Sequence, residues 1–153
     1  MQALDIMIDH VIHVHEKDTI RTVLDKFIDH GISGLPVVNN SNEIVGYISD
    51  GDIMQFIGKH KDIVLDVILL VSVIKGDQDQ FEERARNILA LNVMELANKK
   101  VIKVKWNEEI ENVAAVLGEK RIKKLPVERD GKLVGIISRG DVIRNAFKDL
   151  LHK

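Results

Sequence analysis

Val45-Gly46-Tyr47-Ile48-Ser49-Asp50-Gly51-Asp52 returns later in the chain as Val134-Gly135-Ile136-Ile137-Ser138-Arg139-Gly140-Asp141, an offset of 89 residues. Working outward, Leu35-Pro36-Val37 recurs as Leu125-Pro126-Val127, and Val11-Ile12-His13-Val14 as Val101-Ile102-Lys103-Val104, now at an offset of 90. Ile20, Val23 and Leu24 match Ile110, Val113 and Ala114 at that same offset. The lost residue falls in a polar stretch, where Asn39–Glu43 is one residue longer than Arg129–Lys132. Exposed turns tolerate such length changes, so the alignment makes physical sense. One supersecondary unit is used twice.

The unit has the pattern strand–helix–strand–strand–helix. Val11–Val14 is a short β-branched run, as strands favour. Asp18 stands where a helix N-cap belongs, and Ile20, Val23, Leu24, Phe27 and Ile28 follow on one helical face. Gly31 suits the residue just past a helix end. Leu35–Val38 and Ile44–Ser49 are apolar runs around a polar turn, a hairpin pattern, and the second copy carries Asp130-Gly131 at that turn. Further helices are expected to begin near Asp52 and Asp141. Between the copies, residues 54–92 hold no proline and are expected to be helical, broken at Gly76-Asp77-Gln78-Asp79. Ile63–Ile74 is apolar on most sides, which predicts burial against the lobes or a dimer face. Phe81, Ala85, Ile88, Leu89 and Asn92 continue as a helical stripe.

Composition bounds the function. The chain has 153 residues, 45% hydrophobic and 30% charged, as expected of a soluble globular chain of two small lobes. Absence of cysteine removes disulfides, thiolate metal sites and a cysteine nucleophile. No apolar run approaches the ~20 residues a membrane span needs. No basic region followed by an apolar segment opens the chain, so a cytoplasmic location is expected. The net charge of −2 argues against binding nucleic acid or membrane over the whole surface. That charge is uneven: residues 1–75 carry 6 Lys+Arg against 11 Asp+Glu, and residues 76–153 carry 16 against 13. An anionic ligand would favour the second half.

The two residue sets resemble the CBS domain family (cystathionine β-synthase domains). The first reads Ile6-Met7, Val11–Val14, Leu35–Val38 and Gly46–Asp52; the second reads Val93-Met94, Leu125–Val127 and Gly135–Asp141. The resemblance covers about Asp5–Ile57 and Asn92–Ala146. It implies an α/β fold of two β-α-β-β-α repeats packed about a pseudo-twofold axis as a Bateman module. Repeat 1 would be residues 1–57 and repeat 2 residues 92–153, with a helical insert at 58–91 that is long for the family. It also implies two clefts able to bind adenosine derivatives, a regulatory role, and dimers shaped as flat discs.

The residues carry compatible chemistry. Ser49 and Asp52, like Ser138 and Asp141, lie where a strand turns into a helix, whose unpaired N–H groups suit an anion. A carboxylate suits vicinal ribose hydroxyls. Ser-x-x-Asp is equally a capping-box pattern, and the two roles are compatible. Ile32 and Pro36, or Ile122 and Pro126, are placed to sandwich an adenine ring. Lys123 and Lys124 precede Leu125-Pro126, at positions where nucleotide-binding members of the family often carry cations. Their matches in the first repeat are Ser33 and Gly34, and Asp50 replaces Arg139. The motif of Ser138 and Asp141, with Lys123, Lys124, Arg121 and Arg139, is therefore expected to be the better phosphate binder. Asp18 and Glu108 stand where the family often has threonine, and an acid there opposes phosphate.

His10, His13 and His15 form no convincing metal set, because their repeat partners include Lys103 and Lys105 on a solvated edge. Trp106 is expected to pack, not to stack on bases, and 4% aromatic content disfavours nucleic-acid binding. No nucleophile–base pair emerges, so no catalytic residue and no metal are assigned. The expected function is a non-enzymatic sensor of AMP, ADP, ATP or S-adenosylmethionine that needs no other cofactor. It would form a homodimer and signal to an unknown regulated protein. The alternative is a ligand-independent dimerisation adaptor.

Overall fold

The computed structural model describes residues 1–58, 63–67, 70–74 and 80–152. The first repeat contains β1 (Val14–His15), α2 (Ile20–His30), β2 (Gly34–Val38), β3 (Ile44–Ser49) and α3 (Asp50–Ile57), preceded by α1 (Ala3–Ile6). The second contains β6 (Val104–Lys105), α5 (Ile110–Glu119), β7 (Lys124–Arg129), β8 (Lys132–Ser138) and α6 (Arg139–Leu151), preceded by a 3₁₀ turn at Val93–Glu95. Each repeat folds into a three-stranded sheet, ordered β1-β2-β3 and β6-β7-β8. The first two strands of each are parallel, as a helical crossover requires, and the last two form an antiparallel hairpin. Both hairpins shift register at the same place, between Val37 and Val38 and between Val127 and Glu128.

Burial follows the pleat. Along β3, Ile44, Gly46 and Ile48 are buried; along β8, Leu133, Gly135 and Ile137 are. Gly31 ends α2 in the left-handed region at φ +61°, as its lack of a β-carbon permits. Asp130 and Gly131, both at positive φ, make the tight turn of the second hairpin. Two expectations shift by a few residues. The first strand shrinks from Val11–Val14 to Val14–His15, and α2 is capped at Thr19. Asp18 instead accepts the His15 backbone N–H at 2.8 Å.

The segment before each repeat completes the other lobe. Ala3 donates its N–H to Glu108 O at 2.8 Å, Leu4 to Trp106 O at 2.9 Å, and Ile110 to Met1 O at 3.0 Å. Ala3 and Ile6 accordingly sit in one core with Val104, Val113, Leu125 and Ile137. In mirror fashion Val93 donates to Asp18 O and Ile20 to Leu91 O, both at 2.9 Å. Ile88 and Val93 lie in the other core with Val14, Ile20, Leu35 and Ile48. Each fully buried aliphatic side chain contributes about 1.5–3 kcal/mol of transfer free energy. A third, small core joins the lobes at Val38, Ile44 and Leu133. Beside it, Leu133 donates to Asn42 O at 2.9 Å and Asn42 Nδ2 to Leu133 O at 3.0 Å.

The insert corrects the sequence reading. Its apolar run is an antiparallel pair, β4 (Ile63–Val67) and β5 (Leu70–Ile74), in register from Ile63↔Ile74 to Val67↔Leu70. β-Branched residues favour extended backbone, and a short apolar run does not tell a strand from a helix by periodicity. Among the described residues of the insert α4 (Phe81–Ile88) is the one helix, and it packs against α3. The expected break at Gly76–Asp79 and the burial of the run's side chains lie outside the described residues.

Candidate functional site

Between the repeats runs a cleft of about 340 Å³. Its walls come from three places. Ser33, Gly34, Tyr47, Ser49, Asp50 and Asp52 belong to repeat 1, and Ile122, Lys123, Lys124 and Pro126 to repeat 2. Asn98, Lys100, Val101 and Ile102, from the irregular segment ahead of β6, close the remaining side. That segment is held by a reciprocal pair of bonds, Tyr47 N–H to Asn98 O at 3.0 Å and Asn98 N–H to Tyr47 O at 2.9 Å.

The Ser-x-x-Asp pattern is a helix cap in both repeats. Asp52 Oδ2 accepts the Ser49 N–H at 2.9 Å and the Ser49 hydroxyl at 3.2 Å. Among the described residues, no donor reaches Asp52 Oδ1. In the second repeat Asp141 Oδ2 accepts the Ser138 N–H at 2.8 Å, while Ser138 Oγ accepts the Asp141 N–H at 3.1 Å. Here the second oxygen is also taken, by Arg144 Nη2 at 2.8 Å. Burial pushes the Asp141 carboxyl up, but hydrogen bonds from Ser138 and the Arg144 guanidinium outweigh it and hold the group below its ordinary value.

The residues named from the sequence therefore separate. Ser49, Asp52, Ile122, Lys123, Lys124 and Pro126 share one cleft. Ser138, Asp141 and Arg139 are not among its lining, nor are Ile32 and Pro36. Ile32 packs against the first core, and Pro36 is buried in β2. Lys124 pairs with Ser138 across the β7–β8 hairpin and Lys123 O accepts the Arg139 N–H at 3.2 Å, so the lysines adjoin that motif through the backbone, and they also line the cleft of Ser49 and Asp52. The physical reason is the pseudo-twofold packing, which brings the start of β7 across from the start of β2.

Charge in the cleft is mixed. Lys100, Lys123 and Lys124 face Asp50 and Asp52, and none of the three lysines is in an ion pair among the described residues. Neither Asp18 nor Glu108 lines the cleft. Glu108 turns to its own helix, accepting from Asn112 Nδ2 at 2.7 Å and the Glu109 N–H at 3.1 Å. The acids that line the cleft are Asp50 and Asp52. Tyr47, Asn98 and Lys100 were not singled out as site residues from the sequence. Their signal is the repeat alignment: Asn98 matches Ile8, which bridges β8 at Ile136 as Asn98 bridges β3 at Tyr47.

Tyr47 lies on Gly34. A β-carbon at Gly34 would stand 2.6 Å from the Tyr47 hydroxyl, so glycine is what admits the ring. Burial, and then the Asp50 charge, push the Tyr47 phenol up to about 12. His15 Nδ1 accepts the Lys17 N–H at 3.1 Å while Nε2 contacts Asn40 Oδ1, and no set of three metal-ligating side chains occurs among the described residues. Trp106 packs on the second core under the Arg129 guanidinium, 4.2 Å from its ring centre.

Comparison with known proteins agrees with the repeat pattern. The chain is 34% identical over 151 residues to protein MJ1426 of Methanocaldococcus jannaschii, covering 94% of this chain and 89% of that protein. It is 28% identical to the chloroplastic CBS domain-containing protein CBSX2 of Arabidopsis thaliana, spanning 90% of this chain but 59% of that protein. The crystal structure of CBSX2 in complex with AMP superposes with a TM-score of 0.72 at 22% identity, covering 97% of this chain and 98% of that one. The CBS domain pair of protein MJ0100, in complex with 5′-methylthioadenosine and S-adenosyl-L-methionine, superposes at 0.70 with 22% identity over the same shares. These structural likenesses speak to the fold. The CBS domain family profile matches residues 3–59 and 93–148, and the chain belongs to that family as a tandem pair.

Proposed function

We propose that the chain is a regulatory module that binds an adenosine derivative in the cleft of Ser49 and Asp52 and signals to a partner protein. The observation that carries this reading is Asp52, which lines a cleft large enough for a nucleoside beside the first turn of α3 and whose Oδ1 has no donor among the described residues. Its capped oxygen holds the carboxylate still, and its open oxygen suits a ribose hydroxyl pair. Ile122, Val101, Ile102 and Pro126 offer apolar contact for a base, and Lys100, Lys123 and Lys124 offer charge-assisted bonds to phosphate. AMP bound to CBSX2 and S-adenosyl-L-methionine bound to the MJ0100 pair are chemically of this class. Among the described residues no helix is long and apolar enough to cross a membrane.

A thermal-shift panel of adenosine, AMP, ADP, ATP and S-adenosylmethionine tests this reading, followed by calorimetry on the best ligand. Asp52→Ala is expected to weaken binding by about 1–3 kcal/mol, the loss for hydroxyls left unpaired in a cleft, and to lower the stability of the free protein by about 1 kcal/mol through the lost cap of α3, with the fold retained. No shift with any ligand, or equal affinity for wild type and variant, would remove the assignment and favour the ligand-independent adaptor.

The proposed module is a homodimer. Ile143, Phe147 and Leu150 lie on one face of α6 at 57%, 46% and 62% exposure, and Leu4 and Ile8 are exposed on the same lobe. Apolar area gathered in this way usually marks an interface. Light scattering at micromolar concentration is expected to give twice the chain mass, and a monomer would contradict the dimer.

A further inference from the structure

The two Ser-x-x-Asp motifs share a backbone but not an occupancy. Asp52 keeps one oxygen without a donor, whereas the Arg144 guanidinium takes the matching oxygen of Asp141 at 2.8 Å. The carboxylate end of this pair is buried and the arginine side chain is 68% exposed. Gln55, an uncharged residue, stands at the position matching Arg144. The glycines inside the motifs report the same contrast independently. A β-carbon at Gly140 would stand 3.0 Å from Arg144 Nη1 and 3.4 Å from Nη2, so the guanidinium lies over the first turn of α6. At Gly51 the nearest atom is Ser49 Oγ, at 3.8 Å. The guanidinium thus fills the space that the first repeat leaves open.

We infer that Arg144 is an internal competitor that confines ligand binding to the motif of Ser49 and Asp52. This inference rests on the adenosine-binding reading above. The arginine end of the pair lies in solvent, which screens the interaction and lets the guanidinium swing away. It acts because a ligand must break two things at once, the bond to Asp141 and the cover over Gly140, before its hydroxyls reach the carboxylate. The arrangement makes a chain with two similar motifs bind once.

AMP is the probe, and four proteins are compared by calorimetry: wild type, Asp52→Ala, Arg144→Gln, and the double variant. Arg144→Gln installs the residue type of the first repeat at an exposed position, so folding is expected to be retained, and circular dichroism checks it. Wild type is expected to bind one AMP per chain and Arg144→Gln two. In the Asp52→Ala background, adding Arg144→Gln is expected to tighten the residual AMP binding by roughly fivefold or more, the scale of a released surface ion pair. Unchanged or weaker residual binding in the double variant overturns the inference, and weaker binding would mean that Arg144 itself holds the ligand. If Asp52→Ala alone binds as wild type does, the assignment of the first cleft fails, separately from the comparison at Arg144. If none of the four proteins binds AMP, both fall.

Discussion

Val93→Asp is expected to remove about 3–5 kcal/mol from the stability of the first lobe, the scale of a charge buried without a partner. Val93 follows the insert and stands at the head of the second repeat in sequence, yet it is fully buried in the first core with Val14, Ile20, Leu35 and Ile48. Its N–H already bonds Asp18 O at 2.9 Å, so the backbone cannot swing the new carboxylate outward without losing that bond. A typical domain holds only ~5–15 kcal/mol in total, so the loss is a large part of the whole. Urea denaturation measures it. Ile28→Asp supplies the contrast, since Ile28 is 79% exposed and its change is expected to stay within about 0.5 kcal/mol. Val93→Asp with a loss below about 1 kcal/mol would be incompatible with the exchanged packing of the leading segments.

That exchange is the part of the fold hardest to find in the sequence. The hairpins, the helix before each Pro-Val strand and the two-repeat plan rest on local signals: Asp130-Gly131, the i, i+3, i+4 stripe of Ile20, Val23 and Leu24, and Gly31. Which lobe receives Ala3 or Val93 depends on contacts between residues far apart in the chain, and no local pattern encodes it. The insert failed for another reason. Ile63–Val67 and Leu70–Ile74 are short runs, apolar but for Asp66 and Ser72, and such runs suit a strand as well as a helix segment. Their Val and Ile content was the available clue.

The candidate site divides along the same line. Ser49 and Asp52 were legible because a cap and a ligand carboxylate both belong at a strand-to-helix turn. Lys123 and Lys124 were legible as cations but not as neighbours of Asp52, because their sequence neighbours are in the other repeat. The engagement of Asp141 by Arg144 also escaped, although the i, i+3 spacing on a helix makes such a pair geometrically available. A repeat alignment compares residue types position by position. It does not reveal that one copy's carboxylate is already satisfied from its own helix.

Raising the pH from about 10 to about 12 is expected to withdraw roughly 3 kcal/mol of stability through Tyr47 alone. The phenol titrates near 10.0 when free and near about 12 in the folded chain, because burial and then the Asp50 carboxylate disfavour the phenolate. The sign follows from proton binding. Between those values the unfolded chain has lost the proton and the folded chain keeps it. The contribution is therefore complete below pH 10 and is lost as pH rises through the folded value. Tyr47 is the single tyrosine, so ultraviolet phenolate absorbance reports it without interference from another phenol. A midpoint near 10 in the folded protein would refute the buried placement. Gly34→Ala carries the same test to the cleft wall. Its new methyl would meet the Tyr47 hydroxyl at 2.6 Å, the ring would have to leave, and the midpoint is expected to return towards 10. Asp50→Asn removes only the lesser cause, so its midpoint is expected to fall part of the way. Since Tyr47 lines the same cleft as Asp52, the ring's position and any ligand's position are coupled, and Gly34→Ala is expected to alter ligand affinity together with the titration.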